Sequence, residues 1–168
     1  MPKIIENLDN LLMEEAERQI RENGYRAVTI RSVANAVGVG VGTVYNYFPS
    51  KDALLASYML RDWKICLANI RAVSADSQEA RPVLCAIYQE LCSFALRHRC
   101  VLQDADASTS FAGSFRHYHG MLRSQLAEPI NRFCTDDFTS EFIAEALLTW
   151  TMAGRGFDEI YGMIQKLF

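Results

Sequence analysis

The chain has 168 residues, half of them hydrophobic, with only four prolines and a formal net charge of −3. That is enough apolar material for one sizeable core, or for a small N-terminal module fused to a larger helical one, and too much for a disordered chain. No apolar run approaches the roughly 18 residues of a membrane span, and acidic residues come too early in MPKIIENLDNLL for a secretory signal, so the expectation is a cytoplasmic protein with no membrane partner.

In chain order, Ile4 to Asn23 reads as a first helix, with Ile5, Leu8, Leu12, Ala16 and Ile20 spaced by three or four and Gly24 closing it. Thr29 is a helix cap whose hydroxyl can accept from the free amides of a first turn, and Ile30, Val33, Ala34 and Val37 follow as one apolar stripe. Gly38 can take the left-handed conformation that ends a helix at little cost. A second short helix runs from about Val41 to Tyr47, with Val44 and Phe48 facing inward and Thr43, Asn46 and Tyr47 on the other side. Pro49 stops it, and Ser50 caps a third that begins at Lys51. Two short helices, a glycine turn and a polar outer face on the second are what a major-groove reader requires.

The C-terminal remainder is helical throughout. Lys51 to about Val73 forms a long amphipathic helix, 74–81 a loop or helix start, and Pro82 suits the first turn of a helix carrying Leu84, Ile87, Tyr88, Leu91 and Ala95 to about Arg99. Residues 100–113 are ambiguous, with a short helix around Phe111. Ser114 to Cys134 is helical, bent or restarted near Pro129, and Thr139–Ala153 and Gly156–Phe168 are the last two helices. Fold class is therefore all-α: a three-helix DNA-binding module with a helix-turn-helix over residues 1–50, then a helical domain over 51–168, for which the resemblance given next implies ligand binding and dimerisation.

The residues from Thr29 to Leu54 also resemble the TetR/AcrR family of transcriptional regulators. The resemblance is carried by Thr29, Val33-Ala34, Ala36, Gly38-Val39, Gly42-Thr43-Val44-Tyr45, Tyr47-Phe48, Ser50-Lys51 and Leu54, and covers the first third of the chain. It implies a homodimer that binds a palindromic DNA operator, acts as a repressor and is released by a small-molecule effector. In that setting Thr29, through its hydroxyl and backbone amide, and Lys51, through its charge, contact phosphates. Tyr45 and Tyr47 meet the DNA backbone or thymine methyls, Gly42 allows close approach, and Thr43 and Asn46 touch base edges. Tyr45 and Tyr47 have the alternative that one of them packs against the helix that begins at Lys51. Val41 departs from the family pattern, where a polar residue is common, and leaves an apolar contact. Gly40 and Arg31 complete the DNA-facing set. A net charge of −3 is poor for indiscriminate binding, so the cations near the reading head, Lys3, Arg26, Arg31 and Lys51, predict moderate and strongly salt-dependent affinity.

For the remainder, Trp63, Tyr88, Phe111, Phe115, Tyr118, His119 and Trp150 could line a cavity for a small, largely apolar ligand, or serve as ordinary core. Phe142, Ala146, Leu147, Trp150, Phe157, Ile160, Tyr161 and Ile164 either wrap the core or form a subunit interface; the resemblance favours a four-helix bundle between two chains. His117 and His119 lie two apart and turn to different helix faces, which argues against metal ligation. Cys66, Cys85, Cys92, Cys100 and Cys134 lack CxxC spacing and read as reduced, small hydrophobes; a redox sensor would need one exposed with a lowered pKa. With no nucleophile elbow, phosphate loop or HExxH, a cofactor and an enzymatic function are not expected. The competing readings are a helical dimeric interaction module, or a small helical enzyme using His119 with Asp104 or Asp106.

Overall fold

The computed structural model describes residues 6–167, the side chains of Ser108 and of residues 110–117 lying outside that description. Among the described residues every regular element is helical: α1 (Leu8–Asn23), a 3₁₀ turn (Tyr25–Ala27), α2 (Ile30–Val37), α3 (Val41–Tyr47), α4 (Lys51–Asp76), α5 (Ala80–Arg97), α6 (Arg99–Leu102), α7 (Ala105–Ala127), a 3₁₀ stretch (Glu128–Phe133), α8 (Asp137–Met152), α9 (Phe157–Ile164) and a 3₁₀ end (Gln165–Leu167). Two compact units result. The first takes residues 1–62 with 98–112, the second 63–97 with 113–168. The chain therefore does not divide at residue 50, because α6 and the start of α7 return to pack on the N-terminal helices.

The core of the first unit is the set of inward stripes: Leu12, Ala16 and Ile20 from α1, Ile30, Val33 and Ala34 from α2, Val44 and Phe48 around α3, and Leu54, Leu55 and Tyr58 from α4, joined by Val101 and Ala107. A polar group lies within it. His98, wholly buried, has its Nε2 3.2 Å from the Asp62 carboxylate, and its ring meets Tyr58 edge-on at 4.7 Å. Burial, with the nearby charges of Glu17 and Asp62, pushes the Tyr58 phenol up, so that ring stays neutral at any ordinary pH.

The second unit packs Trp63, Cys66 and Ile70 of α4 against Leu84, Ile87 and Leu91 of α5, Leu126 of α7, Ile143 and Leu147 of α8, and Ile160 and Ile164 of α9. Helix ends differ from the sequence expectation where a distant residue decides them. Helix α4 continues past Val73 to Asp76 because the Arg132 guanidinium donates to the carbonyls of Ser74 and Ser77, satisfying acceptors that a helix end otherwise leaves bare. Helix α7 starts at Ala105, in the stretch the sequence left ambiguous, because Asp104 Oδ1 accepts from the amides of Asp106 and Ala107 at 2.9 and 3.1 Å. The expected opening of α1 at Ile4 falls outside the described residues; the helix begins at Leu8.

Candidate nucleic-acid interface

Local chemistry builds the reading head. At the start of α2 the Thr29 hydroxyl oxygen accepts from the Ser32 amide, and Ser32 Oγ accepts from the Thr29 amide, both at 3.0 Å, a reciprocal cap that fixes the helix entry. At its end Gly38 adopts φ +77°, a left-handed conformation disfavoured for side-chain-bearing residues. Helix α3 then leaves from the extended backbone of Gly40. It buries Val44 completely and is followed by buried Phe48, while Gly42, Tyr45, Asn46 and Tyr47 stand in solvent and Val41 and Thr43 are half-buried. Tyr45 is 52% and Tyr47 49% exposed. Of the two alternatives for Tyr45 and Tyr47, packing against α4 is therefore not the one adopted. Two large aromatic rings held in water cost hydrophobic free energy unless something covers them.

Beside α3 lies an open concavity of about 460 Å³ whose polar rim comprises Arg26, Thr29, Arg31, Tyr45, Ser50 and Lys51. Three cations, three hydroxyls and the N-terminus of α2 share this hollow, which is the chemistry that receives phosphate oxygens. Two of its members are also tied inward. Lys51 Nζ donates to the Tyr25 carbonyl at 3.0 Å and sits 3.6 Å from the Tyr25 ring centroid, while the Tyr25 hydroxyl donates to Asp52 at 2.6 Å. This clamp holds the start of α4 on the 3₁₀ turn. The Thr29 amide, expected from the resemblance to meet a phosphate, is instead held by Ser32; the hydroxyl proton of Thr29 is the group left to donate. Arg26 forms an ion pair with Asp106. Lys3, also expected near the head, lies outside the described residues.

The residues expected to line a ligand cavity meet different neighbours. Trp63 is buried, its Nε1 donating to Gln125 at 2.7 Å and its ring edge-on to Phe94. Tyr88 lies 5.6 Å from Phe157. His119 Nε2 is 2.9 and 3.0 Å from the two oxygens of Glu145. Tyr118 is half-buried, Trp150 is exposed on the outside of α8, and Phe111 and Phe115 lie outside the described side chains. The enzyme alternative is not built by these contacts: the carboxylate beside His119 is Glu145, while Asp104 caps α7 and Asp106 pairs with Arg26.

The expected interface residues need correction. Leu147, Ile160 and Ile164 are buried in the core of their own unit, and a side chain surrounded by its own chain cannot meet a partner. Phe142 and Trp150 are exposed and Ala146 half-buried. Phe157 and Tyr161 are half-buried and stacked on each other, with the Arg81 guanidinium over Tyr161. The sequence expectation passed over Phe138 and Met163, the most open large apolar side chains among the described residues at 77% and 75%. The spacing of Phe138, Phe142 and Ala146 by four was the available signal.

All five cysteines are free and none is exposed. Burial pushes the Cys66 thiol up to about 11, with Glu90 adding to the shift, and burial raises that of Cys134 as well. Both move away from the thiolate that oxidation requires.

An all-α chain with a capped helix, a glycine turn and a second helix whose polar side is open to solvent is a helix-turn-helix DNA-binding protein. Residues 12–58 match the family described as bacterial regulatory proteins, tetR family. The chain is 23% identical over 154 residues to the HTH-type transcriptional regulator SAR2658 of Staphylococcus aureus, an alignment covering 86% of this chain and 77% of that one. Among solved structures it shares its fold with SCO7518 of Streptomyces coelicolor (TM-score 0.71, 14% identity, covering 94% of this chain and 96% of the other). It also shares it with Thermus thermophilus FadR, a TetR-family repressor solved with lauroyl-CoA (TM-score 0.60, 20% identity, 95% and 92% covered). Over residues 12–58 the chain is thus a tetR-family DNA-binding domain.

Proposed function

We propose that two copies of the chain bind a palindromic operator, repress transcription there, and let go when a small, largely apolar molecule enters the second unit. The observation that carries this reading is the solvent-facing side of α3, with Tyr45, Asn46 and Tyr47 open, set beside a cationic, hydroxyl-rich hollow. In this reading Thr43 and Asn46 meet base edges, Asn46 being suited to adenine. Tyr45 and Tyr47 bear on the DNA backbone or thymine methyls, Gly40, Val41 and Gly42 bring the helix close, and Thr29, Arg31 and Lys51 hold phosphates.

Dimerisation follows from arithmetic and surface. A seven-residue reading helix reaches few bases, whereas two of them spaced by about one DNA turn (roughly 34–36 Å) read a palindrome. The exposed Phe138, Phe142, Trp150 and Met163 on α8 and α9 supply an apolar face of the kind two chains cover together. The Thermus repressor's bound lauroyl-CoA supports an apolar effector for the fold. Release requires only that the effector bind the non-DNA-binding state more tightly. As a DNA-bound regulator the protein works in the cytoplasm.

Retardation of a duplex from the region upstream of its own gene tests this. The wild type should shift it in a salt-sensitive manner, and Asn46→Ala or Tyr47→Ala should weaken the shift while leaving the circular dichroism and the oligomeric state unchanged. No shift at low salt, with a dimer present, would leave an interaction module instead.

A further inference from the structure

One exposed cation on the rim of the hollow is already committed to a carboxylate. Arg26, 75% exposed, directs Nε to Asp106, in the first turn of α7. Each partner is bracketed by buried anchors: Tyr25 and Val28 on either side of Arg26, and Val101 and Ala107 on the side of Asp106. Asp104, two residues earlier, adds its charge to the hold on Arg26, but its own oxygen is occupied capping α7. Asp106 makes no part of that cap, so removing its side chain leaves the Asp104 cap in place.

We infer that Asp106 is a positioning residue that withholds Arg26 from DNA, standing where a phosphate oxygen would otherwise sit. A guanidinium satisfied by a carboxylate gains less from a phosphate than a free one, and a carboxylate at the edge of the hollow repels the phosphates that Thr29, Arg31 and Lys51 attract. Arg26 therefore adds its phosphate contact only when α7 draws Asp106 back. The first turn of α7 lies in the first unit, and the same helix runs on into the second. The inference rests on the DNA-binding reading above.

The experiment uses the full chain and a labelled DNA duplex of mixed sequence, titrated at several salt concentrations, because phosphate contacts are blind to sequence. Asp106→Asn should bind about three- to five-fold more tightly per head, the range for loss of an exposed ion pair, with a salt slope steeper by about 0.9 per head. Arg26→Gln should bind no more tightly than the wild type, since Arg26 is already withheld, and adding Asp106→Asn to it should give clearly less than the gain seen with Arg26 in place, only the part that comes from lifting the carboxylate's repulsion. Asp106→Ser serves as a second variant, with thermal denaturation checking that both fold as the wild type does. A wild type that binds while Asp106→Asn binds equally or more weakly overturns this inference alone. So does a full gain from Asp106→Asn in the Arg26→Gln background. A wild type that does not bind the duplex at low salt overturns it together with the function proposed above.

Discussion

The two units solve the same problem, covering helices in water, with opposite surfaces. In the first, nearly all the large apolar side chains turn inward, and the aromatic rings left out, Tyr45 and Tyr47, belong to the face proposed to meet DNA. In the second, the rings and thioethers of Phe138, Phe142, Trp150, Met152 and Met163 stand in solvent, most of them with no polar tip to satisfy there. Exposed polar-tipped aromatics suit a wet, hydrogen-bonding partner, and exposed purely apolar ones suit a dry one. The chain thus has two unsatisfied faces of different chemistry, one suited to nucleic acid and one to a copy of itself.

The largest effect should come from making the second surface polar. Phe142→Glu combined with Trp150→Glu places charges on the apolar face, and like charges then oppose each other across any two-fold axis. The chain should sediment as a monomer with unchanged helicity, and operator affinity should fall by about 100-fold or more, the scale lost when two linked sites act singly. A monomer that retains full operator affinity would separate the two faces completely and show that they do not cooperate.

Next in size is the interior of the head. Leu12 is fully buried among α1, α2 and α4 side chains, and Leu12→Ala should remove about 2–5 kcal/mol of stability through lost burial and the remaining cavity. Since α3 is seven residues long, too short to stand alone, DNA binding should vanish at temperatures where the second unit still shows helical circular dichroism. Simultaneous loss of all helicity in one transition would show that the units do not unfold separately.

The head was legible because its signals are local. Thr29, Gly38, Pro49 and Ser50 act on backbone within a few residues, so capping, the glycine turn and the stop could be read directly. The second unit was less so. An apolar stripe in the sequence does not state which neighbour it faces, and Leu147 and Phe142 look alike until α5 and α9 are in place, when one is buried and the other is 52% exposed. Pairings across long stretches of chain left no trace at all: Arg132 on the end of α4, Lys51 on Tyr25, His98 beside Asp62 and Arg26 with Asp106. Asp104 as the cap that starts α7 was visible in principle, being an aspartate just before a helical run.

A subtler change probes the DNA side without touching the fold. Thr29→Ala loses the acceptor for the Ser32 amide and should cost about 1 kcal/mol. Thr29→Asp keeps an oxygen there and favours the positive end of α2, yet sets a carboxylate in the hollow. It should match the wild type in thermal denaturation and lose DNA affinity, whereas the alanine variant loses some of both. If the aspartate variant binds DNA as well as the wild type, the hollow does not receive phosphate.

The smallest effect lies in the second unit and concerns pH. Burial works to raise the Glu145 pKa, but hydrogen bonds from Thr149 and His119, with the charges of His119 and Arg123, outweigh it and hold the carboxyl below its ordinary 4.5. A carboxyl whose folded value is depressed binds its proton more readily in the unfolded chain, so its contribution is complete above about pH 4.5 and fades as the pH falls through the lower folded value. With the Glu145 side chain 37% exposed, solvent screening keeps that contribution below about 1 kcal/mol. Glu145→Gln should therefore melt slightly earlier than the wild type at neutral pH, and the gap should close as the solution is acidified below pH 4.5. Because Glu145 joins α7 to the outer side of α8, the gap in the monomeric Phe142→Glu, Trp150→Glu background tells whether a partner chain shields the pair. A larger gap in the dimer than in the monomer places the pair at the covered face, and equal gaps place it in water. A gap that persists unchanged to low pH would mean the carboxylate charge contributes nothing to holding α7 to α8.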